Sequence, residues 1–359
     1  MLTYLRELIS NSPNQLITYA DFMSEALYHP EYGYYMKERQ KIGRQGDFIT
    51  TSNISDVYGR LVAKWVASLH KMYGLPAAFC EIGGGNGRFS QAFLQEWSDT
   101  IKTPLKYFMV ESSPFHRALQ QNKLQDFPSF VQVDRLSEIN NFEGIIFSNE
   151  LFDALPVHVI EKRNGELVEI MVGLDQEQLY ERPVPLTNPA IYSFLQEGKW
   201  ELKESQRIEI PLAMDDMIKN ISATLNKGFV VSVDYGYTNK EWMDPRRLKG
   251  SLRGYYQHRM VDNVLINPGE MDITSHIHLD YLIQNGTQVG LQFVSKYGQD
   301  EFLLNAGILK ELEDHYDPNP FSEQSKRNRA IRSLIMPGGM SAAFQIIVQQ
   351  KNLKVDEIF

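Results

Sequence analysis

The sequence predicts an α/β protein, built on a Rossmann-like doubly wound sheet of about seven strands, with an N-terminal helical region and inserted hairpin and loop segments. Three observations carry this expectation. From residue 77 to 148, short apolar runs alternate with amphipathic stretches, the rhythm of parallel strands joined by helices. Gly83, Gly84, Gly85 and Gly87 fall where the first strand would turn into the first helix, and such a turn needs backbone freedom when a ligand approaches it. After residue 213 the same alternation resumes and runs to the C-terminus.

Each element has its own warrant. Ile54, Val57, Tyr58, Leu61, Val62, Trp65, Val66 and Leu69 recur at helical spacing, which predicts an amphipathic helix over 54–73. His29 to Ser52 is rich in Gly, Tyr and charge and reads as a long functional loop. Strands are expected at 77–82, 107–111, 130–133 and 144–148, with helices at 89–97 and 114–124 between them. At 156 the rhythm breaks. Apolar runs flank Asn164-Gly165, a pair suited to a type I′ turn, so 157–172 reads as a β-hairpin. The segment 174–212 has no clear pattern. Further on, helix 214–226, strand 229–233, helix 277–285, strand 291–297, helices near 301–314 and 323–335, and strand 343–349 are expected. The stretch 237–275 shows no clear element and reads as a second functional loop. Two units follow: residues 1–75 as a helical cap with a substrate-side loop, and 76–350 as the core. Insertions at about 157–212 and 237–275 would form a substrate-binding subdomain.

Composition narrows the function. With 36 basic and 45 acidic residues, the net charge is −9. A nucleic-acid backbone is therefore not expected as the main partner, since that affinity comes from excess Lys and Arg. Cys80 is the single cysteine, so no intramolecular disulfide can form and a reducing compartment is expected. The first residues resemble neither a secretory signal nor an Arg-rich transit peptide. No stretch approaches 18 uncharged apolar residues, so no membrane span is expected. These readings together predict a cytoplasmic chain.

Candidate chemistry clusters at predicted strand ends. Glu81 precedes the glycine run, and Arg88 stands where the dinucleotide fingerprint Gly-x-Gly-x-x-Gly needs its third glycine. The compact Gly-x-Gly-x-Gly spacing instead resembles the first motif of class I methyltransferases, which implies S-adenosyl-L-methionine held by Glu81, Gly83, Gly84, Gly85 and Gly87. Glu111 ends the next strand, where an acid can accept both ribose hydroxyls. Asp134, after the third strand, could meet an adenine amino group. Asn149, Glu150 and Asp153 put three polar groups in five residues after the fourth strand. That exceeds what helix capping needs and suits the holding of a cationic nucleophile. Asp234-Tyr235-Gly236-Tyr237 follows the fifth strand. Asp272, His276 and His278 raise a metal reading, but without clear ligand spacing, so no metal is expected.

Six motifs occur in one order: Gly46-Asp47-Phe48-Ile49-Thr50, the Glu81–Gly87 loop, Asn149 to Pro156, Asp234-Tyr235-Gly236, Leu252-Arg253-Gly254-Tyr255 with His258, and Pro268-Gly269 with Asp272-Ile273-Thr274. Together they resemble the MidA family of class I methyltransferases over residues 15–348. The resemblance implies S-adenosyl-L-methionine as cofactor and, by analogy with mitochondrial members, an arginine of a partner protein as acceptor. By position it places the Gly46–Thr50 loop and the segment Asn149 to Asp153 over the reaction site. On chemical grounds Glu150 and Asp153 are candidates to align the acceptor, and Asp47 and His258 are candidate proton acceptors or supporting groups. Departures occur at Thr51-Ser52-Asn53-Ile54-Ser55, where a proline and an acid are missing. Gly84 replaces a proline, and the pattern around Met336 to Phe344 is broken. Cofactor binding is expected to survive them. A cofactor-binding scaffold, a small-molecule methyltransferase and a nicotinamide oxidoreductase stay open as alternatives, the last disfavoured by the glycine spacing. A homodimer is left open.

Overall fold

The computed structural model describes residues 1–38, 56–312, 319–336 and 343–359. In chain order its elements begin with α1 (Leu2–Asn11), β1 (Ile17–Thr18), α2 (Tyr19–Tyr28) and α3 (Val57–Tyr73). Next come β2 (Ala78–Ile82), α4 (Arg88–Glu96), β3 (Lys106–Val110), α5 (Pro114–Leu124), β4 (Phe130–Val133) and β5 (Phe142–Asn149). An inserted block follows: β6 (His158–Arg163), β7 (Glu166–Asp175), β8 (Gln178–Pro185), α6 (Pro189–Glu197) and β9 (Arg207–Ile210). The chain then returns through α7 (Leu212–Thr224) and β10 (Leu225–Tyr237). Short strands β11 (Arg253–Tyr256), β12 (Arg259–Val261), β13 (Asp272–Thr274) and β14 (Ile277–His278) lead to α8 (Leu279–Gln288). The last elements are β15 (Gln292–Gly298), α9 (Gln299–Asn305), α10 (Glu323–Ser333) and β16 (Phe344–Lys351).

The central sheet runs β15-β16-β10-β5-β2-β3-β4, with β14 added beside β10. Strands β10, β5, β2, β3 and β4 are parallel, and β16 and β15 close the edge antiparallel. This is the doubly wound α/β sheet that the alternation predicts. Successive side chains on a strand face opposite ways, and the two cores follow that rule. Phe79, Phe147 and Val231 pack on one side with α3 and α4. Cys80, Ile146 and Val230 pack on the other with α7 and α8. The chain leaves β2 toward β3 and β4, then returns to β5 on the other flank of β2. That reversal opens a crevice beyond the carboxyl ends of β2 and β5.

The inserted strands form a second, antiparallel sheet ordered β1-β7-β6-β9, with β8 beside β7. Alternation along β6 sets its place: Ile160 faces the central core, whereas Val159 faces α1 and α2. The described helices of the first 75 residues therefore divide between two neighbourhoods. Helices α1 and α2 pack on the inserted sheet, and α3 packs on the central sheet.

Several boundaries differ from the sequence expectation. The segment 174–212 holds β8, α6 and β9, and 237–275, expected to lack regular elements, holds the three-stranded sheet β12-β11-β13. Strands of three or four residues rich in Gly and Tyr carry too little alternation to be read alone. The helix expected near 301–314 stops at Asn305, because Gly307 adopts a positive φ of 88° before a short 3-10 turn. Among the described residues, no helix is long and apolar enough to cross a membrane.

Phe79 is fully buried, with ring centroids 4.4 Å from Phe93, 5.3 Å from Tyr107 and 5.7 Å from Phe147. Phe79→Ala should lower stability by about 3–5 kcal/mol, measured as a fall in the urea midpoint. A change below about 1 kcal/mol would mean that this aromatic cluster collapses around the cavity.

Candidate active site

A cavity of about 510 Å³ opens in the crevice beyond β2, β3 and β5, within the range of small-molecule sites. Its wall on the β2 side is the glycine loop. Gly83, Gly85 and Gly87 have φ of 73°, 51° and 72°, a region that costs other residues energy. The loop therefore crosses the strand ends in a tight path, with Gly87 at the start of α4. Helix α5 braces it from behind: Gln120 Nε2 donates to the Gly85 carbonyl at 2.9 Å, and Lys123 Nζ to the Asn86 carbonyl at 2.8 Å. Neither residue belongs to a motif visible in the sequence.

Glu81 is buried at the end of β2, where Oε2 accepts the Ser90 hydroxyl at 2.6 Å and the Tyr107 hydroxyl. Burial pushes its carboxyl up to about 7. Glu111 accepts the Ser113 N–H at 2.9 Å and Gln120 Nε2 at 3.3 Å. Burial raises its pKa and these bonds oppose the rise. Asp134 lines the far end of the cavity, exposed and ion-paired with Arg117.

The opposite wall is the segment after β5. Asn149 Nδ2 donates to Glu150 Oε1 at 3.0 Å. Glu150 has a positive φ of 54°, held by its N–H bond to the Val233 carbonyl at 2.9 Å. A non-glycine residue held there stores strain, a frequent feature of functional sites. Burial, and next the Asp153 charge, push the Glu150 carboxyl up to about 8. Burial also raises Asp153, to about 6. The Tyr235 hydroxyl donates to Asp153 Oδ2, while Asp153 Oδ1 is buried with no hydrogen-bond partner among the described residues. Beneath them Asp234 accepts the backbone N–H of Phe152 at 2.9 Å and of Asp153 at 3.2 Å.

The structure thus brings together, around one cavity, Glu81, Gly83, Gly84, Gly85, Glu111, Asp134, Asn149, Glu150 and Asp153. Gly87 sits just behind, against Gln120. His258 does not join them: it is exposed at the turn between β11 and β12, where tertiary pairing rather than the motif decides its direction. Asp47 and its Gly46–Thr50 motif lie outside the described residues. Asp272 lines the cavity, but His276 and His278 turn elsewhere. His276 stacks on Tyr237 and meets Arg253 at 3.2 Å, and His278 stacks on Trp242 and bonds the Glu209 carbonyl at 2.7 Å. Burial lowers both imidazoles to about 3, so they are neutral. Tyr28 and Tyr35 also line the cavity. They belong to the N-terminal region, and only its tertiary placement reveals them.

A family model described as "putative S-adenosyl-L-methionine-dependent methyltransferase" matches residues 61–296. The chain is 28% identical over 364 residues to the mitochondrial protein arginine methyltransferase NDUFAF7 of Rattus norvegicus, spanning 91% of this chain and 79% of that one. The corresponding Homo sapiens protein is 26% identical, spanning 89% and 76%. The fold matches a Burkholderia thailandensis crystal structure bound to S-adenosyl-homocysteine, with a TM-score of 0.91, 26% identity and coverage of 99% and 93%. These comparisons overturn the expected cytoplasmic location, since the rat and human relatives are mitochondrial proteins.

Because their folded-state pKa values are raised, Glu81 and Glu150 bind protons more tightly in the folded chain than in the unfolded one. Their stabilising contribution is full below about pH 4.5 and is lost as pH rises through about 7 and about 8. The ligand-free chain should therefore lose stability across that window. Glu150→Gln should flatten the slope, by at most about 1.4 kcal/mol per pH unit. Urea titrations at several pH values test this, and an unaltered slope in the variant would exclude Glu150 as a source.

Proposed function

We propose that this chain, which belongs to the S-adenosyl-L-methionine-dependent methyltransferase family, methylates an arginine side chain of a partner protein. The observation that carries the acceptor reading is the buried Asp153 Oδ1, without a donor among the described residues, beside Glu150 in the same cavity. A buried carboxylate oxygen left without a donor is costly, and a guanidinium presents five donors in a rigid fork. The names of the rat and human relatives support the same acceptor for this chain.

The residues present fit the cofactor. The glycine loop leaves room for close approach, Glu111 stands at the end of β3, and Asn149 and Glu81 flank the space between. In this reading Glu81 and Gly83 to Gly87 hold the amino-acid end, Glu111 the ribose and Asp134 the adenine edge. Bound S-adenosylmethionine supplies an electrophilic methyl group. Catalysis of its in-line transfer is chiefly positioning of the nucleophile. Glu150 and Asp153 align the guanidinium and localise its charge. As the N–CH3 bond forms and the S–CH3 bond breaks, the nitrogen gives up one proton. Glu150 is placed to take it: a cation beside it lowers its pKa and brings it in as a carboxylate, and its buried site keeps it basic. The two insertions and the N-terminal helices would form the acceptor-side subdomain.

The test is a labelled-cofactor assay with cell extract, followed by mass spectrometry of any labelled protein. Label on arginine is expected. Cofactor binding without any transfer would favour a scaffold, and label confined to metabolites would favour a small-molecule enzyme. Glu150→Gln should abolish transfer and leave cofactor affinity within several-fold, and full activity in this variant would remove its assignment. Glu111→Ala should weaken cofactor binding by about 10- to 100-fold, the loss of a charged hydrogen-bond partner, read by calorimetry.

A further inference from the structure

The acceptor side of the cavity has an aromatic wall, Tyr28 and Tyr35, that lies outside the sequence motifs. Tyr35 lies just after α2, and its hydroxyl donates to Asp272 Oδ1 on β13 at 2.6 Å. The Tyr28 ring stacks on the Tyr35 ring, with centroids 5.5 Å apart at 28°, and its hydroxyl donates to the Ala154 carbonyl at 2.9 Å. Ser113 Oγ donates to the Tyr35 carbonyl at 2.7 Å, tying this wall to the loop that carries Glu111. Ser275 N–H donates to the Asp153 carbonyl at 2.9 Å, so β13 is fastened to the segment after β5. Asp272 and Asp153 are 4% and 3% exposed, and both line the cavity with Glu150. Arg135 is the only Lys or Arg among the described lining residues.

We propose that Asp272, held by Tyr35, is a specificity-determining residue that contacts the acceptor guanidinium opposite Asp153, with the Tyr28–Tyr35 pair as its aromatic wall. A planar cation satisfies this arrangement in a way that a compact one does not. Its edges reach carboxylates on two sides, and its face lies against rings. The orphaned Asp153 Oδ1 marks where one edge would point. The second carboxylate comes from a different part of the chain, so acceptor choice depends on the N-terminal region and the three-stranded sheet together. This inference rests on the arginine reading above.

The test uses the full chain, labelled S-adenosylmethionine and the extract protein labelled by the wild type. Asp272→Asn keeps an oxygen to accept the Tyr35 hydroxyl and removes only the charge. It should raise KM for the acceptor by about tenfold or more, lower kcat less, and leave S-adenosyl-homocysteine binding by calorimetry unchanged. Tyr35→Phe should do the same to a smaller degree, and Asp272→Glu should recover part of the loss. Retained S-adenosyl-homocysteine binding shows that each variant is folded. If the wild type labels arginine and neither Asp272→Asn nor Tyr35→Phe moves KM, the pair has no such role. If the wild type labels no arginine, the acceptor reading itself fails and this inference falls with it.

Discussion

The site hangs on one buried carboxylate. Asp234, at the carboxyl end of β10, accepts the N–H groups of Phe152 and Asp153 and also of its own neighbour Tyr235, the last at 3.0 Å. The segment after β5 is thereby tied to a single carboxyl group on the neighbouring strand β10. Tyr235, the next residue on β10, reaches Asp153. Burial and the neighbouring Asp153 charge raise the Asp234 pKa. Three backbone donors are what make an acid tolerable there. Remove that anchor and the Glu150–Asp153 geometry has nothing beneath it.

Around this anchor the fold concentrates acids. Glu150 and Asp153 have no ion-pair partner among the described residues, and Glu81 meets only hydroxyl donors. Burial keeps these acids partly protonated near neutral pH, and the cluster opposes folding as they ionise, because each charge formed there is desolvated without an opposite charge nearby. The large aromatic core around Phe79 and Phe147 offsets that cost. Stability is thus supplied by the sheet and is given up at the strand ends, where a cationic ligand would restore it. Glu150 carries the same trade in its backbone, since its positive φ persists only through the bond to Val233.

Much of the fold was legible because it rests on local patterns. Phe79 and Cys80 point to opposite cores by strand alternation, and the α3 stripe from Val57 to Leu69 follows helical period. The glycine loop was legible because positive φ has a residue signature. The three-stranded sheet was not, because Arg253–Tyr256 and Asp272–Thr274 recognise each other through backbone pairing across an intervening loop. His258 shows the limit of a motif: it belongs to a recognisable run, yet it sits at the exposed turn between β11 and β12 and does not line the cavity.

By itself, the sequence determined the layered sheet, the glycine loop with Glu111 across from it, and the polar segment from Asn149 to Asp153. Each of these is written in neighbouring residues, as period, spacing or backbone tolerance. Tertiary structure alone decided that Tyr35 meets Asp272, 237 positions away, that Asp234 holds the segment after β5, and that Gln120 braces the glycine loop. Those contacts depend on where separate elements come to rest against one another. That is set by burial summed over the whole chain, which no short stretch of residues records.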